Sequence, residues 1–472
     1  MRKTKIICTL GPACDDYEVL KQLALSGMNC ARLNFSHGTH EEQLVRINRV
    51  KQLRNELNIP LPILLDTKGP EIRFKDFVNG SVEVKKGDLF TLSADPTILG
   101  DNTIGGLSFP DLAKSVAPGV KILVDDGKIG LVVVEVKGKD VICEVLNDGK
   151  ISNHKSLNVP NVEIDMVYLS KNDISDIEFG CGQDVDFIAA SFVRCAQDVL
   201  DVREVLKRCG REDIMIIAKI ENMQGINNVE EILEVADGLM VARGDMGVEV
   251  DFDMLPSIQK DMISKCYRKG KIVVTATQML ESMTKNPRPT RAEVSDVANA
   301  VFDRTVATML SGESAAGMYP IQAVSAMSKI NESAEKSINY AKRFYRNHLD
   351  LGNSNLSSIC NAAVNASFQV DAKAIVCVTR QGITARMISA YRPSCPIIAA
   401  VLDEKSYRQL SLAWGVLPVR SEVKNTTDEI LSNGIRIAKE TGLVEAGDTI
   451  IVTGSSAIGI GSTDMMQIIT VK

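Results

Sequence analysis

The chain lacks the features that mark nucleic-acid-binding, secreted and membrane proteins. Its 472 residues carry a net charge of −6 and no basic block, which argues against nucleic acid as a partner. The eleven cysteines include no Cys-x-x-Cys pair, and the segment Met1–Leu10 lacks the apolar core of a signal peptide. No apolar run is long enough to span a bilayer. We therefore expect a cytoplasmic protein with reduced thiols and no membrane partner.

Eight short apolar runs, each ending in polar or charged residues, are the main pattern in the chain. They are Lys5–Leu10, Asn29–Phe35, Pro62–Thr67, Phe187–Phe192, Met215–Ile220, Gly238–Arg243, Ile272–Thr277 and Val306–Leu310. Each run suits a buried parallel strand followed by a helix. Eight such units predict an α/β fold, a (β/α)8 TIM barrel with its chemistry at the carboxyl ends of the strands.

The spacing between the runs predicts three domains. About a hundred residues between the third and fourth runs change to alternating apolar and polar positions with Asp-Gly and Lys-Gly turns, typical of an all-β module. We assign residues 1–69 and 170–340 to the barrel and residues 70–169 to an inserted β-barrel lid. The lid could also be a rigid insertion. Alternating helices and strands then predict a small α/β domain over residues 350–472.

Two loops of the last domain are rich in Thr, Ser and Gly: Thr379–Thr384 and Thr453–Thr463. The first loop lies between a predicted strand and a predicted helix, where backbone N–H groups can hold a phosphate. Neither loop has the spacing of a Walker P-loop. The loops are either plain turns or an effector site, for which the candidate residues are Thr379, Gly382, Thr384 and Ser455.

Charged side chains that suit phosphate chemistry follow several of the predicted strands. Glu221 and Asp245 leave neighbouring strands and form a hard-oxygen site for Mg²⁺ or Mn²⁺. Lys219 lies two residues before Glu221, on the same side of the strand, and could stabilise a transferring phosphoryl group or an enolate. Alternatively, Lys219 forms a structural salt bridge. Arg32 suits a phosphate or carboxylate, and Thr277 could hydrogen-bond a carboxylate or relay a proton.

A second group of oxygen ligands lies on the second and third strands. Asn34 and Ser36 alternate along one strand and therefore point the same way, while Asp66 and Thr67 end the next strand. Together they offer one carboxylate and several neutral oxygens. That combination suits a monovalent cation.

Seven segments resemble the pyruvate kinases, in the bacterial form without an extra C-terminal extension. They are Thr4–Pro12, Ala31–Gly38, Leu65–Arg73, Ala218–Asn222, Val241–Gly247, Ala276–Met283 and Pro287–Glu293. The similarity runs in order along the whole chain. It implies transfer of a phosphoryl group from phosphoenolpyruvate to ADP, giving pyruvate and ATP in the last ATP-forming step of glycolysis.

The resemblance also implies roles for individual residues. The catalytic residues would be Arg32, Lys219 and Thr277; the substrate-binding residues Arg32, Lys219, Gly244, Asp245 and Thr277; the Mg²⁺ ligands Glu221 and Asp245; the K⁺ ligands Asn34, Ser36, Asp66 and Thr67; and the nucleotide-binding residues Asn34, Phe35, Ser36, His37, Arg73 and Lys155. Glu71 implies K⁺ dependence. In the family the last domain binds a sugar phosphate or nucleotide such as AMP, and the enzyme is a homotetramer.

Four positions depart from the family pattern. Around the eighth strand, Arg304 replaces a glycine and Val306 replaces an acid, and in the lid Ser156 and Asn161 stand where glycines are common. Two other functions stay open at this point. One is a lyase or aldolase that also binds Mg²⁺ and an enolate, and the other is a metabolite sensor with a catalytically weak barrel.

Overall fold

The structure, a computed structural model, describes residues 1–346, 349–422, 426–455 and 463–472. Eight parallel strands close into a barrel in chain order, and the first strand pairs with the eighth through Lys5 opposite Ala307. The strands are Lys5–Thr9, Cys30–Asn34, Ile63–Asp66, Phe187–Ala190, Met215–Ile220, Gly238–Ala242, Ile272–Ala276 and Ala307–Leu310. Most of their residues are buried because helices cover the outside and side chains fill the inside. The predicted TIM barrel is confirmed.

Helices surround the barrel and connect its strands. They are Tyr17–Ser26, His40–Leu57, Lys171–Gly182, Ala196–Arg208, Met223–Asn227, Val229–Val235, Arg243–Glu249, Leu255–Arg268, Arg291–Phe302, Gly312–Ala315, Pro320–Lys336 and Tyr340–Arg346. Thr39 and Glu42 form a capping box, as do Thr290 and Glu293, and each box fixes the start of a helix.

The residues between the third and fourth barrel strands fold as a separate β module. Its strands are Ile72–Arg73, Ser81–Val84, Leu89–Ser93, Ile104–Gly106, Lys121–Val124, Ile129–Lys137, Asp140–Val145, Gly149–Ser152 and Ser156–Asn158. They form a seven-stranded and a two-stranded sheet around their own apolar core, which includes Phe74 and Phe90. The predicted all-β insertion is present, whereas its limits at residues 70 and 169 and its role as a lid stay predictions.

The last part of the chain forms a five-stranded sheet with helices on both faces. Its strands are Ala374–Thr379, Ile397–Val401, Val416–Arg420, Thr449–Gly454 and Met465–Thr470, and its helices are Asn355–Gln369, Ile383–Ala390, Glu404–Gln409 and Thr427–Glu440. The last strand is antiparallel to its neighbour and the other pairings are parallel. The sheet therefore has the predicted α/β character, while the assigned range 350–472 stays a prediction.

The amino ends of the barrel strands, here called the barrel base, contact this α/β part. The Lys5 ammonium donates a hydrogen bond of 2.7 Å to the carbonyl oxygen of Val416. Arg408, from the helix Glu404–Gln409, donates to the buried Asp186 carboxylate over 2.7 Å. The catalytic end of a TIM barrel lies at the opposite, carboxyl ends of the strands, here called the barrel mouth.

Candidate active site at the barrel mouth

A compact cluster of charged side chains fills the barrel mouth. The Lys219 Nζ lies 3.0 Å from Asp66 Oδ1 and 3.1 Å from Glu221 Oε1. Arg32 donates from Nε to Asp66 Oδ2 over 2.6 Å and from Nη1 to the Thr9 hydroxyl over 2.8 Å. These side chains come from the first, second, third and fifth strands or their ends. Closure of the barrel thus brings together candidates that the sequence separates by up to 189 residues, from Arg32 to Glu221.

The charges of the cluster shift one another's protonation. Burial alone would lower the pKa of the Lys219 ammonium, but the Asp66 and Glu221 carboxylates outweigh burial and raise it. Burial opposes ionisation of Asp66, yet Arg32 and Lys219 bring the pKa of that carboxyl below its ordinary value. Lys219 and Asp66 therefore form a stable ion pair at neutral pH.

Glu221 is the member of the cluster with an unused oxygen. Its Oε2 accepts a hydrogen bond of 2.7 Å from the backbone N–H of Phe192, whereas the buried Oε1 accepts no hydrogen bond from the described residues and forms an ion pair with the Lys219 ammonium at 3.1 Å. Burial raises the pKa of Glu221 to about 7, and the nearby Asp245 carboxylate adds to that rise. A carboxylate oxygen that accepts no hydrogen bond and has a second carboxylate nearby suits a hard divalent cation.

Within the part of the chain that the structure describes, no larger acidic or thiol cluster competes for such a cation. In the described ranges, no group of three or more His, Cys, Asp and Glu side chains is arranged to hold a metal ion. A site with two protein carboxylates is typical of Mg²⁺, which keeps waters and takes further oxygens from the substrate. The residues present therefore fit the divalent cation expected at Glu221 and Asp245.

Gly244 and Thr277 lie side by side at the ends of the sixth and seventh strands. The Gly244 N–H donates to the Thr277 hydroxyl over 2.7 Å, and that hydroxyl lies 2.6 Å from the carbonyl oxygen of Ala276. Thr277 has a φ of 66°, in the left-handed region that is rare for a β-branched residue. The buried Arg243 holds this turn, since its guanidinium donates to the Thr277 carbonyl over 2.7 Å. The strained conformation is thus maintained by its surroundings.

The four oxygen ligands expected for a monovalent cation come from adjacent strand ends. Asn34 pairs with Asp66 in the register of the second and third strands. The Asn34 side-chain oxygen accepts a hydrogen bond of 3.1 Å from the Ser36 N–H, which orders the loop after the second strand. The Thr67 hydroxyl accepts the N–H of Ser191 over 3.1 Å. The strand ends thus lie close together as predicted, while cation binding by them stays a prediction.

A cleft of about 430 Å³ separates the β module from the barrel mouth. Asp245 lines it from the barrel, and Arg73 and Lys155 line it from the β module. Arg73 forms a bidentate pair with Glu71 at 3.0 Å and 2.7 Å, and Lys155 Nζ lies 2.8 Å from Asp125 Oδ1.

The cleft is large enough for a nucleotide-sized ligand, because ligand sites typically measure roughly 300 to 1,000 Å³. Asn158 from the β module donates to Glu249 from the barrel over 2.8 Å, so the two walls are in direct contact. Of the other predicted nucleotide contacts, Phe35 is buried and His37 is exposed at the loop that leaves the second strand.

Sequence reasoning did not identify three residues of this region, Thr9, Ser191 and Arg243. The Ser191 hydroxyl lies 2.7 Å from Lys219 Nζ, at the end of the fourth predicted strand. The available signal for Ser191 was its position near the end of an apolar run, which is the same signal that pointed to Thr277 and Asp66. Arg243 directly precedes Gly244, so its proximity in sequence could have suggested a supporting role.

The first Thr/Gly loop of the α/β part has the geometry expected of a strand-to-helix turn. Gly382 begins the helix Ile383–Ala390 with a φ of 74°, and its N–H donates to the Thr379 hydroxyl over 3.1 Å. The Thr384 hydroxyl lies 2.7 Å from that of Thr463, so the two predicted loops meet. Ser455 is described, whereas residues 456–462 of the second loop lie outside the described ranges.

Two of the departures from the family pattern occupy left-handed backbone. Arg304 has a φ of 80° and Asn161 a φ of 62°, which explains why glycine suits both positions. The Arg304 guanidinium lies 4.6 Å from the centre of the Tyr267 ring, a cation–π contact that offsets part of the strain. Val306 is buried at the barrel base, where its N–H donates to the Val273 carbonyl over 2.9 Å. Val306 thus lies at the opposite end of its strand from the mouth.

Comparison with known proteins gives a consistent result. Residues 1–324 match the family model described as pyruvate kinase, barrel domain, and residues 357–469 match pyruvate kinase, alpha/beta domain. A pyruvate kinase from Clostridium perfringens is 48% identical over 99% of both chains, and one from Clostridium acetobutylicum is 47% identical over the full length of both. A solved pyruvate kinase from Cryptosporidium parvum superposes with a TM-score of 0.95 and 38% identity, covering 100% of this chain and 96% of the other.

The same comparison separates two kinds of relative by length. A pyruvate kinase from Bacillus licheniformis is 45% identical over 100% of this chain but only 81% of its own length.

Among the described residues, none of the helices is both apolar and long enough to cross a membrane.

Proposed function

Since this chain belongs to the pyruvate kinase family, and thus transfers a phosphoryl group from phosphoenolpyruvate to ADP, we propose that the barrel-mouth cluster performs the transfer. Arg32 and Lys219 would bind the phosphoryl group, with Gly244, Asp245 and Thr277 on the carboxylate side of the substrate. The observation that supports this assignment best is the Oε1 of Glu221, which accepts no hydrogen bond from the described residues and is paired there only with the Lys219 ammonium at 3.1 Å, so a cation could bind it.

Phosphoryl transfer depends on positioning and charge neutralisation. The bond between phosphorus and the enol oxygen breaks as a β-phosphate oxygen of ADP bonds to phosphorus, and the enolate that remains takes a proton at carbon. The Asp66 and Glu221 carboxylates keep Lys219 charged. The Lys219 ammonium would stabilise the equatorial oxygens of the phosphoryl group during its transfer. Arg32, fixed by Asp66 and Thr9, would orient the phosphoryl group. Thr277 would contact the substrate or relay the proton.

Members of this family need metal ions, and here we propose Mg²⁺ or Mn²⁺ at Glu221 and Asp245. The cation would neutralise charge that develops on the transferring oxygens. We propose K⁺ as a second cation, bound by Asn34, Ser36, Asp66 and Thr67. Asp66 accepts hydrogen bonds from Arg32 and Lys219, which leaves acceptor capacity on its two oxygens for a cation.

ADP would occupy the cleft between the β module and the barrel. Arg73 and Lys155 line that cleft, where the Arg73 guanidinium pairs with Glu71 and the Lys155 ammonium pairs with Asp125. A nucleotide phosphate could replace either carboxylate as the partner of these side chains. Asn34, Phe35, Ser36 and His37 would complete the nucleotide contacts from the barrel side. The Asn158–Glu249 hydrogen bond between the walls would break and reform if the β module moves as a lid.

Regulation and assembly are proposed from the family. The loop with Thr379, Gly382 and Thr384, together with Ser455, would bind a sugar phosphate or AMP on its backbone N–H groups. The enzyme would be a homotetramer with a cytoplasmic location. Light scattering should then give a mass about four times the 51.4 kDa of the chain, and a monomer would contradict the assembly.

The test of the proposed function is production of pyruvate and ATP with Mg²⁺, measured in K⁺ and again in Na⁺ alone. Activity that requires K⁺ is the expected result. Activity in both salts would keep the reaction but remove the role given to the K⁺ ligands and to Glu71. Absence of pyruvate in every salt, with sugar phosphates added, would favour the sensor function.

A further inference from the structure

Ser191 occupies a central position in the mouth cluster. It follows the fourth barrel strand, Phe187–Ala190, and is 1% exposed. Its hydroxyl oxygen lies 2.7 Å from Lys219 Nζ, 2.6 Å from the carbonyl oxygen of Thr67 and 3.1 Å from Asp66 Oδ1. One side chain thus touches both the predicted phosphoryl-stabilising lysine and two predicted K⁺ ligands.

The chemistry of these partners fixes the direction of the hydrogen bonds. An ammonium has donors only, so the Ser191 hydroxyl must accept from Lys219. The hydroxyl then has a single proton to donate, and the shorter distance favours the Thr67 carbonyl over Asp66. A chain of polarised hydrogen bonds runs from Lys219 through Ser191 to Thr67, and each bond strengthens the other.

The Ser191 backbone is itself fixed by its neighbours. Its N–H donates to the Thr67 hydroxyl over 3.1 Å, and its carbonyl oxygen accepts from the buried Tyr168 hydroxyl over 2.9 Å. Gly69 passes so close that a Cβ added there would lie 2.9 Å from the Ser191 Cβ. The backbone of Ser191 is therefore held in place on both sides.

We propose that Ser191 is a positioning residue that couples the Lys219 ammonium to the monovalent-cation site. This inference rests on the proposed function. Ser191 accepts one N–H of Lys219 and thereby fixes the position of the ammonium between Asp66 and Glu221, and it orders the Thr67 carbonyl beside Asp66. Loss of the Ser191 hydroxyl therefore both weakens K⁺ binding and misaligns the Lys219 ammonium.

The test compares Ser191→Ala with the wild-type enzyme and with Ser389→Ala. Ser389 is a matched control because it is buried and its hydroxyl makes one hydrogen bond of 2.6 Å, to the Trp414 carbonyl, outside the barrel mouth. Supporting residues around a metal site typically change affinity or activity about 10- to 100-fold. We expect Ser191→Ala to lower kcat at least tenfold and to raise the K⁺ concentration for half-activation by a similar factor.

A readout apart from activity is binding of Tl⁺, a K⁺ substitute, followed by thallium NMR. Ser191→Ala should weaken Tl⁺ binding about tenfold or more, whereas Ser389→Ala should leave it unchanged. Ser191→Cys keeps the shape of the side chain but accepts hydrogen bonds poorly. It should therefore give an intermediate loss, and it provides a second variant if Ser191→Ala does not fold.

The results separate this inference from the proposed function. A wild-type enzyme that makes no pyruvate overturns the proposed function and with it the role of Ser191. An active, K⁺-dependent wild type, with kcat, half-activation by K⁺ and Tl⁺ affinity all unchanged in Ser191→Ala and Ser191→Cys, overturns the role of Ser191 alone. A lowered melting temperature with all three quantities unchanged would likewise mean that the serine is only structural.

Discussion

The two ends of the barrel both bury charges, but they use them differently. At the base, Asp186 is fully buried, and its Oδ1 accepts from Arg408 over 2.7 Å while its Oδ2 accepts the Ile63 N–H over 2.9 Å. Asp184 beside it is paired with Arg211 at 2.6 Å. Both carboxylates of the base are satisfied by groups of this chain.

At the mouth, the pairing is incomplete. Asp66 is satisfied by Arg32 and Lys219, but the Oε1 of Glu221 accepts no hydrogen bond in the part of the chain that the structure describes. Its one charged partner there is the Lys219 ammonium at 3.1 Å, which is shared with Asp66 and with the Ser191 hydroxyl. The contrast indicates that the base cluster holds two parts of the protein together, while the mouth cluster is completed by a ligand.

The largest effect that would test this contrast is expected from Lys219→Met. Removing one charge stabiliser of a transition state typically costs about a hundredfold or more in rate. We therefore expect kcat for pyruvate formation to fall at least a hundredfold, with the far-ultraviolet circular dichroism spectrum unchanged. Lys260→Met is the control, because Lys260 is more than half exposed and pairs with Asp303 away from the mouth. Near-normal turnover of Lys219→Met would remove the lysine from the mechanism.

A smaller effect, on stability rather than rate, is expected from Arg408→Met at the base. Breaking a buried ion pair by removing one partner costs about 3 kcal/mol at the lower end of measured values. Asp186 keeps its bond to the Ile63 N–H, so the lower end applies. The denaturant midpoint should fall, while kcat of the folded enzyme stays within about twofold of wild type.

Arg436→Met is the control for the base, because Arg436 pairs with Glu440 and both side chains are more than half exposed to solvent. Exposed pairs contribute about 1 kcal/mol or less. Equal stability losses in Arg408→Met and Arg436→Met would show that the base cluster is no stronger than a surface pair.

The smallest effect concerns the pH dependence of the base. Burial alone would raise the pKa of Asp184, but Lys405 and Arg408 outweigh it and lower that pKa below its ordinary value. The ionised form is therefore favoured by folding, so its stabilisation is present at neutral pH and is lost as pH falls through the lowered pKa. Thermal melts of wild type and Asp184→Asn should differ slightly at pH 7, and the difference should begin to shrink as pH falls below about 4, the ordinary pKa of Asp. A difference that grows on acidification would contradict this sign.

Much of the mouth could be predicted from the sequence, for a physical reason. Parallel barrel strands leave an apolar run with a clear end, and residues at those ends must converge when the barrel closes. The sequence pattern alone therefore places Lys219 and Glu221 beside Asp66, although 153 residues separate Asp66 from Lys219. The spacing of the runs likewise predicted the β insertion and the α/β part.

The base and the supporting contacts could not be predicted in the same way. Asp186 and Arg408 are 222 residues apart and belong to separately packed parts of the chain, and no local pattern sets how those parts meet. The Asn158–Glu249 contact across the cleft has the same origin. Ser191 was missed because a single serine after a strand has the same local signal as a serine in a plain turn.

The most direct test of ligand completion at the mouth is crystallography of the enzyme with Mn²⁺ and phosphoenolpyruvate, using anomalous scattering to locate the metal. We expect one strong peak at the mouth, about 2.1 Å from Glu221 Oε1 and from an Asp245 carboxylate oxygen, as for a hard cation with oxygen ligands. The peak should vanish in Glu221→Gln. A peak elsewhere, or one that persists in Glu221→Gln, would contradict the claim that the open carboxylate oxygen at the mouth is completed by a metal.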